Sequence, residues 1–245
     1  MGKIAFHNFG FVSKVQNNFT ISSSRYAFQK KYEYFILLDI IKKMKINNHD
    51  TFLDIGCNVG TQLIPISFLV KNAYGIDHKS CLQKIKKRLP EFNSKNLIHG
   101  DYLDLKIKKK FTKILCYSVI QYLDSEYDIS IFVLKLLNQL SKGGLVLIGD
   151  IPVSDLEIKF YKTVKGQKWT KNFNNENKKT KIRSISDFLK DRPKDDSYIG
   201  SINFTILNNI IKFIKKKKFI IKKIKHNDNF PFGPTRVDLI IIKKS

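Results

Sequence analysis

The stretch Phe52-Leu53-Asp54-Ile55-Gly56-Cys57-Asn58-Val59-Gly60 runs an apolar, β-forming segment directly into a glycine-bearing turn. The segment that follows, Thr61 to Val70, reads as the helix leaving that turn. Glycines in such a place let a ligand approach the backbone closely. Their spacing, Gly56-x-x-x-Gly60, is not the Gly-x-Gly-x-x-Gly pattern of dinucleotide binders. Asp54 marks a second difference, because a carboxylate just before the first glycine repels a pyrophosphate lying over the loop. The same carboxylate suits a ligand that carries an ammonium and a sulfonium.

Around this stretch, short β-branched runs alternate with amphipathic segments, which predicts βαβ units and a mostly parallel sheet. A helix is expected over Tyr26 to Lys45, followed by strand one at Thr51 to Ile55 and strand two at Ala73 to Asp77. A basic helix, Ser80 to Leu89, leads to strand three at Asn96 to His99 and strand four at Lys113 to Tyr117. The next helix, Asp128 to Leu140, is expected to stop at a Gly143-Gly144 cap before the apolar strand Leu145 to Gly149. Phe160 to Pro193 is rich in Lys, Asn and Ser without a sustained period, and reads as an exposed insertion. A helix over Asn203 to Lys217 then precedes two Ile-rich strands, Phe219 to Lys225 and Arg236 to Lys243. The turn between them, Asn227 to Pro234, suits an antiparallel hairpin.

The 245 residues suffice for one domain with an accessory cap and a substantial core. Lys and Arg number 45 against 21 Asp and Glu, a formal charge of +24, which raises the prospect of a nucleic-acid partner. Only five of the 45 are Arg (Arg25, Arg88, Arg183, Arg192 and Arg236), and bidentate phosphate readout favours the guanidinium. Cys57, Cys81 and Cys116 form no CxxC pair or Cys/His cluster, so neither a disulfide framework nor a metal site is expected. The first residues lack a secretory or myristoylation pattern, and no apolar run approaches the roughly 20 residues of a membrane span. A reduced, cytoplasmic setting is the expectation.

Asp54-x-Gly56-x-Asn58-x-Gly60 resembles motif I of the class I S-adenosylmethionine-dependent methyltransferases, with Asn58 where that family usually has glycine. Asn tolerates left-handed backbone angles, so the turn is expected to survive the change. Asp77, which follows Gly60 by 77 − 60 = 17 residues, is placed to accept ribose hydroxyls. His99-Gly100-Asp101-Tyr102 is similar to the family's adenine-contacting segment, with Tyr102 or Ile98 against the ring. Cys116 to Leu123 is similar to the family's motif IV, and Gly143 to Asp150 to its strand-five signature. The resemblance covers Thr51 to Asp150 and implies a Rossmann-like, doubly wound α/β fold. Its mostly parallel seven-stranded sheet would end in an antiparallel C-terminal hairpin. Residues 1–48 would form an N-terminal helical cap, 49–245 the donor-binding domain, and 155–200 a lid over the substrate.

On this resemblance S-adenosylmethionine is the cofactor and S-adenosylhomocysteine the product. Asp54, Gly56, Cys57, Asn58, Gly60, Asp77, His78, Asp101, Tyr102, Tyr117 and Ser118 are the expected cofactor-binding residues. Tyr117, Gln121 and His7 are the candidates for a catalytic role, and His99 and His226 the other histidines weighed as a base. Methyl transfer from a sulfonium is an in-line displacement that chiefly requires alignment, so a base is optional when the acceptor is already anionic. No Asn-Pro-Pro-Tyr segment follows strand four, which disfavours base-flipping DNA methylation. The expected acceptor is a small anionic molecule, phosphorylated or nucleotide-linked, for instance a surface-polysaccharide precursor methylated on oxygen. An RNA methyltransferase using the basic surface, and a non-catalytic nucleoside-binding protein, stay open as alternatives. The acceptor's identity and the oligomeric state are not legible in the sequence.

Overall fold

A computed structural model of the chain describes residues 3–23, 25–179, 184, 188, 189 and 199–244. In chain order its helices are α1 (Lys3–Val15), α2 (Phe19–Ser22), α3 (Tyr32–Met44), α4 (Leu63–Ser67), α5 (Lys79–Arg88), α6 (Glu126–Gln139), α7 (Ser154–Tyr161), α8 (Val164–Lys178) and α9 (Phe204–Lys216). The strands are β1 (Thr51–Ile55), β2 (Asn72–Asp77), β3 (Leu97–His99), β4 (Phe111–Tyr117), β5 (Leu140–Pro152), β6 (Ile220–Lys225) and β7 (Arg236–Ile242).

They form one seven-stranded sheet in the order β3-β2-β1-β4-β5-β7-β6. β7 runs antiparallel to both β5 and β6, and the other pairings are parallel. This is the Rossmann-like α/β architecture expected, including the C-terminal hairpin. β1 and β4 are buried along nearly their whole length because helices cover both faces of the sheet. On one face Phe132 and Leu136 of α6 meet Leu207, Ile210 and Ile214 of α9. On the other, Ile36, Ile40 and Met44 form the buried stripe of α3 and join Leu63, Ile66, Leu82 and Ile85. β6 is one of the two edge strands, and its Lys222, Lys223 and Lys225 discourage pairing with another chain.

The strand order reverses between β1 and β4, so their carboxyl ends open the crevice where such sheets bind ligands. α1 packs on α5. A Cβ on Gly10 would lie 2.2 Å from His78 Nδ1, so the helices meet this closely only because Gly10 has no side chain.

Three local expectations differ from the fold. The segment Tyr26 to Lys45 begins with a 3-10 turn, Ala27–Lys31, before α3. Gly143 and Gly144 do not cap α6, which ends at Gln139; they lie within β5, where Gly143 N donates to the Lys243 carbonyl. The described part of Phe160 to Pro193 is chiefly helical. α8 is capped by Thr163, whose hydroxyl accepts from Gly166 N, and Trp169 and Phe173 stack with ring centroids 5.1 Å apart. Both rings also meet Phe232, so tertiary aromatic contacts hold a helix whose Lys and Asn content hides its period. Residues 180–183, 185–187 and 190–198 of the expected lid lie outside the described residues.

Candidate active site

The turn after β1 is built on backbone angles few residues accept. Gly56 has φ 74°, and a Cβ there would stand 2.5 Å from Val119 Cγ2. The Gly56 and Cys57 amides both donate to the Ile76 carbonyl, at 3.0 and 3.2 Å, which ties the turn to β2. Asn58 has φ 48° and does what glycine could not: its Nδ2 donates to the Ser22 carbonyl at 2.6 Å. That bond anchors the N-terminal segment onto the turn. The Asn58 amide donates to Asp77 Oδ2 at 2.7 Å, and the His78 amide to Asp77 Oδ1 at 2.6 Å.

A cavity of about 60 Å³ lies against this turn. Among its lining residues are Asp54, Gly56, Cys57, Asn58, Asp77, Tyr117 and Ser118 of the sequence candidates, together with Phe9, Arg25 and Gln62. A smaller neighbouring cavity shares Gly56, Asp77 and Val119 and adds Phe6, Asp101 and Tyr102. Three acids at the ends of β1, β2 and β3 thus border adjoining spaces. Tyr102 contributes only part of its ring, since its hydroxyl is buried and donates to Gln139 Oε1 at 2.7 Å.

Electrostatics separate these acids. Asp54 is 3% exposed, and burial, with the charge of Asp77 next, pushes its carboxyl up to about 8. Burial also raises Asp77, but the His78 and Asn58 amides work against the shift. Arg25, which lines the same cavity, is buried too; burial opposes its charge, and the carboxylates of Glu33 and Asp150 outweigh that, raising it. Its guanidinium lies 3.5 Å from Glu33 and 5.9 Å from the Tyr117 ring centre.

The ends of β4 and β5 form the other wall. Ser118 and Asp150 adopt left-handed angles, φ 57° and 56°, next to each other, and the Ser118 hydroxyl donates to Asp150. Off-pattern backbone concentrated at strand ends is characteristic of binding sites. Asp150 faces Arg236 Nε at 3.4 Å, and Arg236 bridges to Glu157 of α7 at 2.9 Å. Beneath, the Tyr117 hydroxyl reaches His226 Nε2 at 3.4 Å, and His226 Nδ1 lies 2.9 Å from Asp238 Oδ1.

Other candidates lie elsewhere. Gly60 lines neither cavity. His78 caps α5, its Nδ1 accepting from Ser80 N. His7 is exposed on α1 with its ring 5.8 Å from that of His78, and His99 is exposed at the end of β3. Gln121 borders neither space, and its Oε1 is buried without a hydrogen-bond partner among the described residues. Phe6, Phe9 and Arg25 carry no motif that would single them out in the sequence. Asp150 did carry a signal, an acid at the end of a parallel strand, as Asp54, Asp77 and Asp101 are. Cys57, Cys81 and Cys116 are all buried and free, and no described helix is long and apolar enough to cross a membrane.

Residues 53–148 match the family described as "Methyltransferase domain". No curated protein matches the chain. Solved structures share the fold at low identity. The N-methyltransferase NodS from Bradyrhizobium japonicum aligns with a TM-score of 0.58 at 10% identity, over 88% of this chain and 98% of that one. Magnesium protoporphyrin IX methyltransferase from Synechocystis, solved with S-adenosylhomocysteine, aligns with a TM-score of 0.56 at 14% identity, over 99% and 96%. An S-adenosylmethionine-dependent methyltransferase from Clostridium acetobutylicum gives 0.56 at 13% identity, over 89% and 92%. The match covers the part of the sheet that holds the crevice at the switch between β1 and β4, and the sheet as a whole has the fold of these solved methyltransferases. The matched segment, and neighbours solved with S-adenosylhomocysteine, support S-adenosylmethionine as the methyl donor.

Proposed function

We propose that the two adjoining cavities hold the donor, with Asp54 beside its ammonium and Arg25 beside its carboxylate. The observation that carries this is a buried acid without a hydrogen-bond partner among the described residues and a buried guanidinium lining the same small space, a match for a zwitterionic amino-acid head. Asp77 retains lone pairs for the ribose hydroxyls beyond the two amides it already accepts. Asp101 and Tyr102 border the space left for adenine, Gly56, Cys57 and Asn58 supply the close backbone, and Tyr117 and Ser118 face the methyl side. When bound, the donor supplies an electrophilic methyl carbon; the protein supplies alignment and excludes water.

With α1 in place, about 60 Å³ falls well short of the ~300 Å³ at which small-molecule sites begin. Donor entry therefore requires α1, with Phe6 and Phe9, to draw back, which makes the N-terminal segment a cover for the nucleoside. α7 and α8 act as the lid on the acceptor side.

The acceptor is a small anionic molecule methylated on oxygen. A groove of about 920 Å³ beside α8 supports this, since Lys31, Lys165, Lys178 and Lys179 line it with Trp169 and Phe173 and outnumber its acids, Glu176, which pairs with Lys179, and Asp228. Cations beside aromatic faces suit a planar or phosphorylated ligand. The test is methyl transfer from labelled S-adenosylmethionine to paired phosphorylated and unphosphorylated small molecules, with total RNA as a further arm. Labelling confined to anionic small molecules is expected. Labelling of RNA that falls steeply with salt would instead establish the RNA reading.

A further inference from the structure

Under the methyl side of the site lies a buried chain of polar groups that donor binding does not use. His226, on the turn after β6, is 2% exposed, and its two ring nitrogens face different ways. Nδ1 lies 2.9 and 3.1 Å from the two oxygens of Asp238, a fully buried residue of β7. Asp238 also accepts from Lys43 Nζ at 2.6 Å and from the Asp150 amide at 2.8 Å. Burial opposes ionisation of Asp238, but His226 and Lys43 overcome it and hold the carboxyl below the usual range. An ionised Asp238 fixes the His226 proton on Nδ1, leaving Nε2 with its lone pair towards the Tyr117 hydroxyl at 3.4 Å. Tyr117 in turn lines the cavity, with its phenol kept neutral by burial and by the charge of Asp150.

We propose that Tyr117, His226 and Asp238 form a relay that removes the acceptor's proton during methyl transfer, a refinement that rests on the donor-site reading above. The acceptor's electron pair makes the new bond to carbon while the C–S pair stays with sulfur. Its proton passes to Tyr117 Oη as Tyr117's own proton passes to His226 Nε2. The positive charge lost at sulfur reappears on the imidazolium, which Asp238 is placed to receive. Tyr117 is the catalytic residue of the set; His226 and Asp238 act through it.

The groups facing His226 are Asp238 and, through Asp238, Lys43; Tyr117 from β4; and Asp150 of β5, whose Oδ1 is 3.9 Å from Nε2 and is itself paired with Arg236. Two carboxylates near one imidazole give the competing outcome, a permanently charged structural histidine. ¹⁵N NMR of the imidazole nitrogens in the full-length protein between pH 5 and 9 separates the two. The relay requires His226 neutral at pH 8 with the proton on Nδ1, an Nε2 signal that moves in Tyr117→Phe, and a proton no longer confined to Nδ1 in Asp238→Asn. An imidazolium persisting to pH 9, or an Nε2 signal indifferent to Tyr117→Phe, overturns it. Should Asp238→Asn not fold, the wild-type titration and Tyr117→Phe decide. Calorimetry with S-adenosylhomocysteine on the same wild-type sample keeps the readings apart. Failure to bind it refutes the donor site, whereas binding together with a fixed imidazolium refutes the relay alone.

Discussion

Removing the charge of Asp54 should change how donor binding depends on pH. In the free protein this carboxyl is raised to about 8, by burial first and by Asp77 second. It is therefore mostly protonated at pH 7, whereas a cation bound beside it lowers a carboxyl by roughly 1–3 units. Binding then releases close to one proton, and linkage makes affinity rise as pH approaches the free value. From pH 8 down to pH 6 the dissociation constant for S-adenosylmethionine should weaken about 30-fold, or ~2 kcal/mol. Calorimetry at each pH, repeated in buffers of different ionisation enthalpy, measures both the affinity and the proton count. Asp54→Asn should bind more weakly at pH 8 and lose the dependence. A wild-type affinity flat between pH 6 and 8, with no proton released, refutes the pairing of Asp54 with the ligand's cation. The free protein offers a check of sign: a raised acid stabilises the fold fully below 3.8 and loses that contribution as pH rises through about 8. Wild type should therefore lose thermal stability over that window by more than Asp54→Asn does.

Asp77→Ala should weaken donor binding by about 100-fold, through lost bonds to charged acceptors, and should cost about 1–3 kcal/mol of stability by orphaning the Asn58 amide; a melting curve and calorimetry report both. Gly56→Ala combines a left-handed φ with a clash on Val119, so about 2 kcal/mol of stability and donor binding should be lost together. Gly10→Ala places a methyl on His78 and should lift α1 from α5, seen as faster amide hydrogen exchange over residues 3–15 with the central strands unchanged.

Much of this was legible in the sequence because parallel strands declare themselves. β1, β4 and β5 each carry a short buried apolar run, Phe52-Leu53, Ile114 to Cys116 and Leu145 to Ile148, and the acids at the ends of β1, β2 and β3 sit at fixed places relative to the strands. Asn58 was readable as a residue able to hold the turn. Its bond to Ser22 was not, since 36 residues separate the partners. Arg25, Phe6 and Phe9 were hidden for the same reason: they reach the cavity from outside the sheet, through packing of α1 and the following turn, and no local pattern encodes that. α8 was missed because its helix is held by Trp169 and Phe173 against Phe232 rather than by an apolar stripe of its own. His226 looked like an ordinary histidine after a lysine-rich strand, and only the pairing of β6 with β7 sets it against Asp238.

What fills the crevice between β1 and β4 decides which chemistry the protein performs. Titration of the wild-type protein with S-adenosylhomocysteine and, separately, with NAD decides it: saturable micromolar binding of the first and none of the second is the predicted result. Binding of NAD, or no binding of S-adenosylhomocysteine, would contradict it.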